Sequence, residues 1–321
     1  MFRYLKSVTI IFGSMAVATV LAFGADDPKP LEKEPQKVVH VAPKVIDAKE
    51  IPGYLQDISV TIHAGSAQGS GVIKTRENIN YVLTAGHVVS HLRTTRSVID
   101  PKTGHPRTMI EFEDAKVVKE VYDDDNRSVG RLTMDAEVLR YSDADNGDDL
   151  ALLRLRKRDF VKCSARFDWK DNKGLEKVGT ELIHVGSLLG QQGSNSLTTG
   201  VVSQNGRVYN NIIYDQSTCA AFPGSSGGGI YRKTDGVYVG MIVRGAGETF
   251  NLYIPMRRII RWSDRVGVQF IFDDAVSVPN DTVLKKTPIE DAVGIPNADK
   301  ATPHAPSKGQ MKNFPFLIGI E

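Results

Sequence analysis

The chain has 321 residues, 41% hydrophobic and 24% charged, values at which a globular protein buries a real core and which suggest about two domains at roughly 150 residues each. A formal net charge of +2 argues against a nucleic-acid protein steered by its overall charge. Two cysteines, Cys163 and Cys219, allow at most one internal bridge, and with no CxxC pair a zinc knuckle or a thioredoxin-like site is not expected.

Residues 1–24 have the make-up of an export signal: Arg3 and Lys6, then an apolar, small-residue run from Val8 to Phe23, with Ala22-x-Gly24 as a cleavage site. The body is therefore expected to be secreted or periplasmic, or else anchored in a membrane by residues 7–23 left uncleaved. Residues 25–53, with Pro28, Pro30, Pro35, Pro43 and Pro52 among charges, have linker composition. From Tyr54 the pattern turns to short strands bounded by turn residues: Ile58–His63, Gly71–Lys74, Tyr81–Thr84, Met109–Phe112, Lys116–Lys119, Leu132–Val138 and Ala151–Leu155. A second set follows at Glu181–Val185, Leu197–Ser203, Val208–Tyr214, Gly229–Tyr231, Val237–Val243 and Phe250–Ile254. Many short strands with glycine turns predict an all-β fold, a sandwich or barrels. Pro255–Trp262 reads as a short helix with proline at its first position. Residues 266–321, with Pro288, Pro296, Pro303 and Pro306, are expected to form a mostly disordered tail, in which Phe314–Ile320 is apolar enough to dock.

The chemistry concentrates in Pro223-Gly-Ser-Ser-Gly-Gly-Gly229. A serine among glycines can expose its hydroxyl while neighbouring N–H groups converge on one point. A hydroxyl is a poor nucleophile at neutral pH and needs a base in hydrogen-bond reach and donors for the oxyanion that follows attack. His87 would take the proton of Ser226, and Asp149 would fix its tautomer. The N–H groups of Gly224 and Ser226 would form the oxyanion hole. Asp148 competes with Asp149 for the third role; the Asp-Leu-Ala-Leu-Leu register favours Asp149 and leaves Asp148 a solvated turn residue. His87 and His91 are four apart, but the zinc-peptidase pattern needs Glu where Val88 stands, so no metal and no cofactor is expected. Gly224–Gly228 also fits the α/β-hydrolase elbow, but that fold needs its histidine after the serine, where only His304 follows.

Thr84-Ala-Gly-His87, Asp149-Leu-Ala-Leu-Leu153 and Gly224-Ser-Ser-Gly-Gly228 resemble the three signatures of the chymotrypsin-like (trypsin-fold) serine peptidases, in that family's order. Ser70–Ile73, His87–Val89, Thr199–Ser203 and Ala220–Gly224 are similar to stretches of its bacterial high-temperature-requirement (HtrA-type) branch. The resemblance covers residues 54–265 and implies two packed six-stranded antiparallel β-barrels, with His87 and Asp149 from the first and Ser226 from the second. Animal digestive members carry an aspartate before the nucleophile; here Ser225 stands there, so no zymogen switch of that kind is expected. The stretch after 265 is too short and proline-rich for the PDZ domain of the bacterial branch.

The resemblance also implies a specificity pocket near Ala220, Val243, Arg244, Gly245 and Asn251. A small Ala220 at its base offers no counter-charge, so small or medium uncharged P1 side chains are expected, with a polypeptide substrate pairing along Val243–Gly245 as an added β-strand. The function implied is serine endopeptidase activity; the alternative is a catalytically silent peptide-binding module of the same fold.

Overall fold

The computed structural model describes residues 46–125, 127–167, 175–210, 212–245 and 247–291, and the backbone of 318–319. The export-signal reading of residues 1–24 lies outside them. Within the span read as linker, a helix α1 (Ile51–Asp57) forms instead, with Pro52 in its first turn, where a missing N–H is tolerated. Ile51 and Leu55, four apart, share one helix face and are buried, so the folded body begins before residue 54.

The first barrel uses β1 (Ser59–Ala64), β2 (Ala67–Arg76), β3 (Ile79–Thr84), β6 (Ala115–Tyr122), β7 (Ser128–Ser142) and β8 (Leu150–Leu155), closed in the order β1-β2-β3-β8-β7-β6. The β2–β3 turn is two residues, Glu77 and Asn78, both at positive φ, the backbone that matches the twist of a tight hairpin. After β3 comes a single turn of helix, α2 (Gly86–Val89). A separate hairpin follows, β4 (Arg93–Ile99) on β5 (Pro106–Phe112). Strand β4 was not legible in the sequence: it is almost wholly exposed and so lacks the apolar alternation that marks a half-buried strand.

The second barrel uses β9 (Glu181–Leu188), β10 (Gly193–Tyr209), β11 (Ile212–Ser217), β12 (Gly229–Arg232), β13 (Tyr238–Gly245) and β14 (Asn251–Pro255). Its order is β12-β9-β10-β11-β14-β13, closed by pairing of β12 with β13. The sequence pattern predicts one strand through Val208–Tyr214; the structure turns there at Asn210 (φ 50), and Val208 pairs with Ile213 across the hairpin. Asparagine tolerates that left-handed backbone, and apolar residues on both sides hide the break. One continuous apolar core runs through both barrels, including Val60, Val82 and Leu152 of the first and Val185, Met241 and Ile254 of the second.

Helix α3 (Met256–Val266) follows β14. Pro255 is its N-cap in extended conformation rather than its first helical residue, and Gly267 at φ +73 ends it, its N–H donated to Ser263. The chain then stays packed to residue 291, correcting the expectation of a disordered tail from 266. Phe270, Ile271 and Leu284 are buried. Arg76 donates to the carbonyls of Phe270 and Asp273, and Arg140 to those of Val266 and Leu284. A short helix α4 (Asp281–Lys286) is capped by the Asn280 side chain. The partners of this segment lie more than a hundred residues upstream, where no local pattern points to them. Among the described residues no helix is long and apolar enough to cross a membrane.

Candidate active site

Strand pairing brings the histidine to the aspartate. Strand β3 pairs with β8, Thr84 opposite Ala151, so the residues just beyond each strand meet: α2 carries His87 and the turn before β8 carries Asp149. The turn sets Asp149 at φ 56. The approach is close enough to require glycine at 86, where a Cβ would lie 2.2 Å from the Ser142 carbonyl oxygen.

His87 Nδ1 lies 3.0 Å from each carboxylate oxygen of Asp149, and the His87 backbone N–H donates to the same carboxylate at 2.9 Å. A carboxylate only accepts, so Nδ1 carries the proton and Nε2 is left as the basic nitrogen. Asp149 is fully buried, which by itself raises its pKa; the charge and hydrogen bonds of His87, with Arg244 beyond, outweigh that and hold it below the ordinary value. Arg244 reaches to 4.0 Å from Asp149 and lies over the Tyr209 ring. Its backbone is in the expected specificity strand, but its guanidinium faces the aspartate side of the site.

Asp148 is not solvated. It is buried and paired with Arg258 and Arg265 of α3, and Arg265 also holds Asp291. The two adjacent aspartates diverge: Asp149 turns to His87, and Asp148 fastens the strand turn to the C-terminal helix.

The loop that carries Ser226 is tied from within and from without. Inside it, Ser225 Oγ accepts from the Phe222 N–H at 3.1 Å and the Ser225 carbonyl from Gly228 at 2.9 Å. Outside it, the Pro223 carbonyl accepts from Leu189 at 2.7 Å, and Gly227 donates to the Ile242 carbonyl at 2.9 Å. Within a trans peptide unit C=O and N–H point opposite ways. The amides of Gly224 and Ser226 therefore point away from the partners of the Pro223 and Ser225 carbonyls. Gly224 is at φ +92, a conformation most side chains resist.

Ser70 of β2 fastens this loop to the first barrel. Its N–H donates to the Ser226 carbonyl, its Oγ to the Gly224 carbonyl, and its Oγ accepts from the Ser187 N–H, each at 2.7 Å. No residue pattern announces that role; a serine in a strand is otherwise unremarkable. Beside the loop lies a cleft of about 500 Å³ lined by Gln68, His91, Leu189, Pro223 and Gly224 among others.

The trypsin-like peptidase domain family matches residues 69–241, more than half of the chain. The chain belongs to the trypsin-like peptidase family. No curated protein matches the peptidase by sequence. Among solved structures it is similar to a variant of the HtrA-type protease AlgW with a tripeptide: 16% identity over 78% of this chain and 75% of that one, TM-score 0.48. A serine endoprotease from Yersinia pestis shares 17% identity over 70% of this chain and 67% of its own, TM-score 0.48. Deg5 shares 22% over 68% and 94%, TM-score 0.45. The family assignment rests on the sequence match, and with it the class, a serine protease.

In this peptidase the position before Ser226 is occupied by a buried Ser225, whose hydroxyl serves the loop itself. Of the residues expected at the pocket, Ala220 is half-buried and its carbonyl accepts from Thr198. Asn251 is buried, its amide donating to the Cys219 and Gly247 carbonyls at 2.7 and 3.0 Å. Cys163 and Cys219 are both free thiols, and burial pushes each up to about 11.

Proposed function

We propose that this peptidase is a serine endopeptidase in which Ser226 is the nucleophile, His87 the general base and Asp149 its orienting carboxylate. The observation that carries the reading is the 3.0 Å pairing of His87 Nδ1 with a buried Asp149, which fixes the tautomer a base needs. Ser226 Oγ attacks the scissile carbonyl carbon while its proton passes to His87 Nε2. The N–H groups of Gly224 and Ser226 receive the oxyanion, each such donor ordinarily supplying about 2.7–4 kcal/mol. The imidazolium returns the proton to the leaving amine, the C–N bond breaks, and the acyl group stays on Ser226. Water, deprotonated by His87, then releases the acid.

Small or medium uncharged side chains are proposed at P1, because Ala220 and the Asn251 amide, already engaged with two carbonyls, present no charge to Lys or Arg. One methylene in such a pocket is worth about 1–3 kcal/mol, so selectivity is modest. The leader-like segment 1–24 supports an extracytoplasmic place of action. The test is cleavage-site profiling on a proteome-derived peptide library with fluorophosphonate labelling in parallel. Labelling of wild type and not of Ser226→Ala, with uncharged P1, supports the reading. Peptide binding without labelling leaves a silent binding module, and a P1 profile led by Arg or Lys overturns the pocket assignment.

A further inference from the structure

Strand β13 changes neighbour along its length. Up to Met241 its edge is covered by β12, with Gly229 opposite Met241. Beyond that the loop of Ser226 crosses it: Gly227 donates to the Ile242 carbonyl and the Ile242 N–H to Gly228, at 2.9 and 3.0 Å. The next stretch of the same edge, Arg244–Gly245, is paired antiparallel with a two-residue strand from far downstream, β15 (Ile318–Gly319), Arg244 opposite Gly319 and Gly245 opposite Ile318. The occupant comes from the apolar stretch Phe314–Ile320, uncharged and of small or medium size at positions 318–320, which is the character proposed above for a substrate.

We propose that the Val243–Gly245 edge is a binding site for the chain's own segment around Ile318–Gly319, held as an added β-strand along the substrate path, so that the peptidase is restrained by its own tail. The ligand class is an extended peptide of small and aliphatic residues bound through its backbone. An exposed strand edge next to a reactive serine is also a surface that would pair with other chains, and covering it removes that hazard. The inhibition rests on Ser226 being the nucleophile; the docking does not.

Tethering supplies the strength. A segment on the same chain acts at an effective concentration of about 1 mM, so a peptide that binds in trans at about 0.1 mM holds the free site to roughly a tenth. Two full-length comparisons test this. In the first, Ile318→Pro with Gly319→Pro removes both backbone donors of the added strand outside the packed body. The expected result is a rise in kcat/KM of about tenfold on a fluorogenic peptide; an unchanged value overturns autoinhibition. In the second, a fluorescein-labelled peptide of residues 312–321 is titrated by anisotropy into Ser226→Ala, with and without the two prolines. Binding about tenfold tighter in the proline form supports docking at the edge, and equal binding, or none to either, overturns it. If that difference holds while fluorophosphonate labels neither wild type nor the proline form, the docking stands and the nucleophile assignment is what has failed.

Discussion

Ser70, Ser226, His87 and Asp149 make unequal demands on the chain. Ser226→Ala removes the proposed attacking atom, and the expected loss of kcat is on the order of 10⁶, read by fluorogenic peptide turnover. Asp149→Asn keeps the shape of the turn but lets the side-chain amide favour the wrong imidazole tautomer, for which a fall of about 10⁴ in kcat with little change in KM is expected. A fall under tenfold would remove Asp149 from the role. Ser70 does not touch the proposed reacting atoms; from the first barrel its Oγ holds Gly224 and Ser187 of the second. Ser70→Ala leaves the Gly224 carbonyl and the Ser187 N–H without that partner, which should destabilise the fold by about 1–3 kcal/mol. It should also lower kcat more than it raises KM, because the loop that carries the proposed oxyanion donors loosens. Equal loss in both would make Ser70 structural only.

At the scale of elements, α3 acts as a strap. It lies after the second barrel, yet Arg258 and Arg265 reach Asp148 in the turn before β8 of the first. Both Asp148 and Arg258 are buried, so removing one partner strands the other's charge. Asp148→Ala is expected to lower unfolding free energy by about 3–5 kcal/mol, measured by urea denaturation. A change below about 1 kcal/mol would mean that water screens the pair. This is also where the local sequence misleads most. Asp148 stands in Gly-Asp-Asp, a local setting typical of a solvated turn, and only the arrival of a helix over a hundred residues later buries it. Strands β1, β2, β3 and β8 were legible because their apolar runs are compact and bounded by turn residues. The exposed β4 and the bend at Asn210 were not, since neither leaves a periodic trace.

For the whole molecule, one buried imidazole makes stability depend on pH on the acid side of neutrality. His184 of β9 lies beneath the loop that carries Ser226, its Nδ1 donating to the Gly229 carbonyl at 3.0 Å. Full burial lowers its pKa from the ordinary 6.5 to about 4. The unfolded chain takes up that proton first, so stability is complete above pH 6.5 and is lost as pH falls from there towards 4. At 1.36 kcal/mol per pH unit the loss is about 3 kcal/mol. Urea midpoints taken from pH 7 to 4 should fall more steeply in wild type than in His184→Gln; parallel curves would show that the imidazole is hydrated.

Local residue patterns were enough to read the class of fold and to single out the candidate site residues. Serine, histidine and aspartate in their local frames, and short apolar runs between glycine turns, are properties of neighbouring residues, and each survives without knowledge of its distant partners. The folded arrangement settles which aspartate faces His87 and which is locked to α3. It also decided that Ser70 joins the barrels, that residues 268–291 pack rather than trail, and that Ile318–Gly319 lies on the edge of β13. Those facts depend on contacts between residues far apart in the chain, where the burial of a charge or the capture of a carbonyl is set by whatever element arrives in space and leaves no mark in the local run of residues.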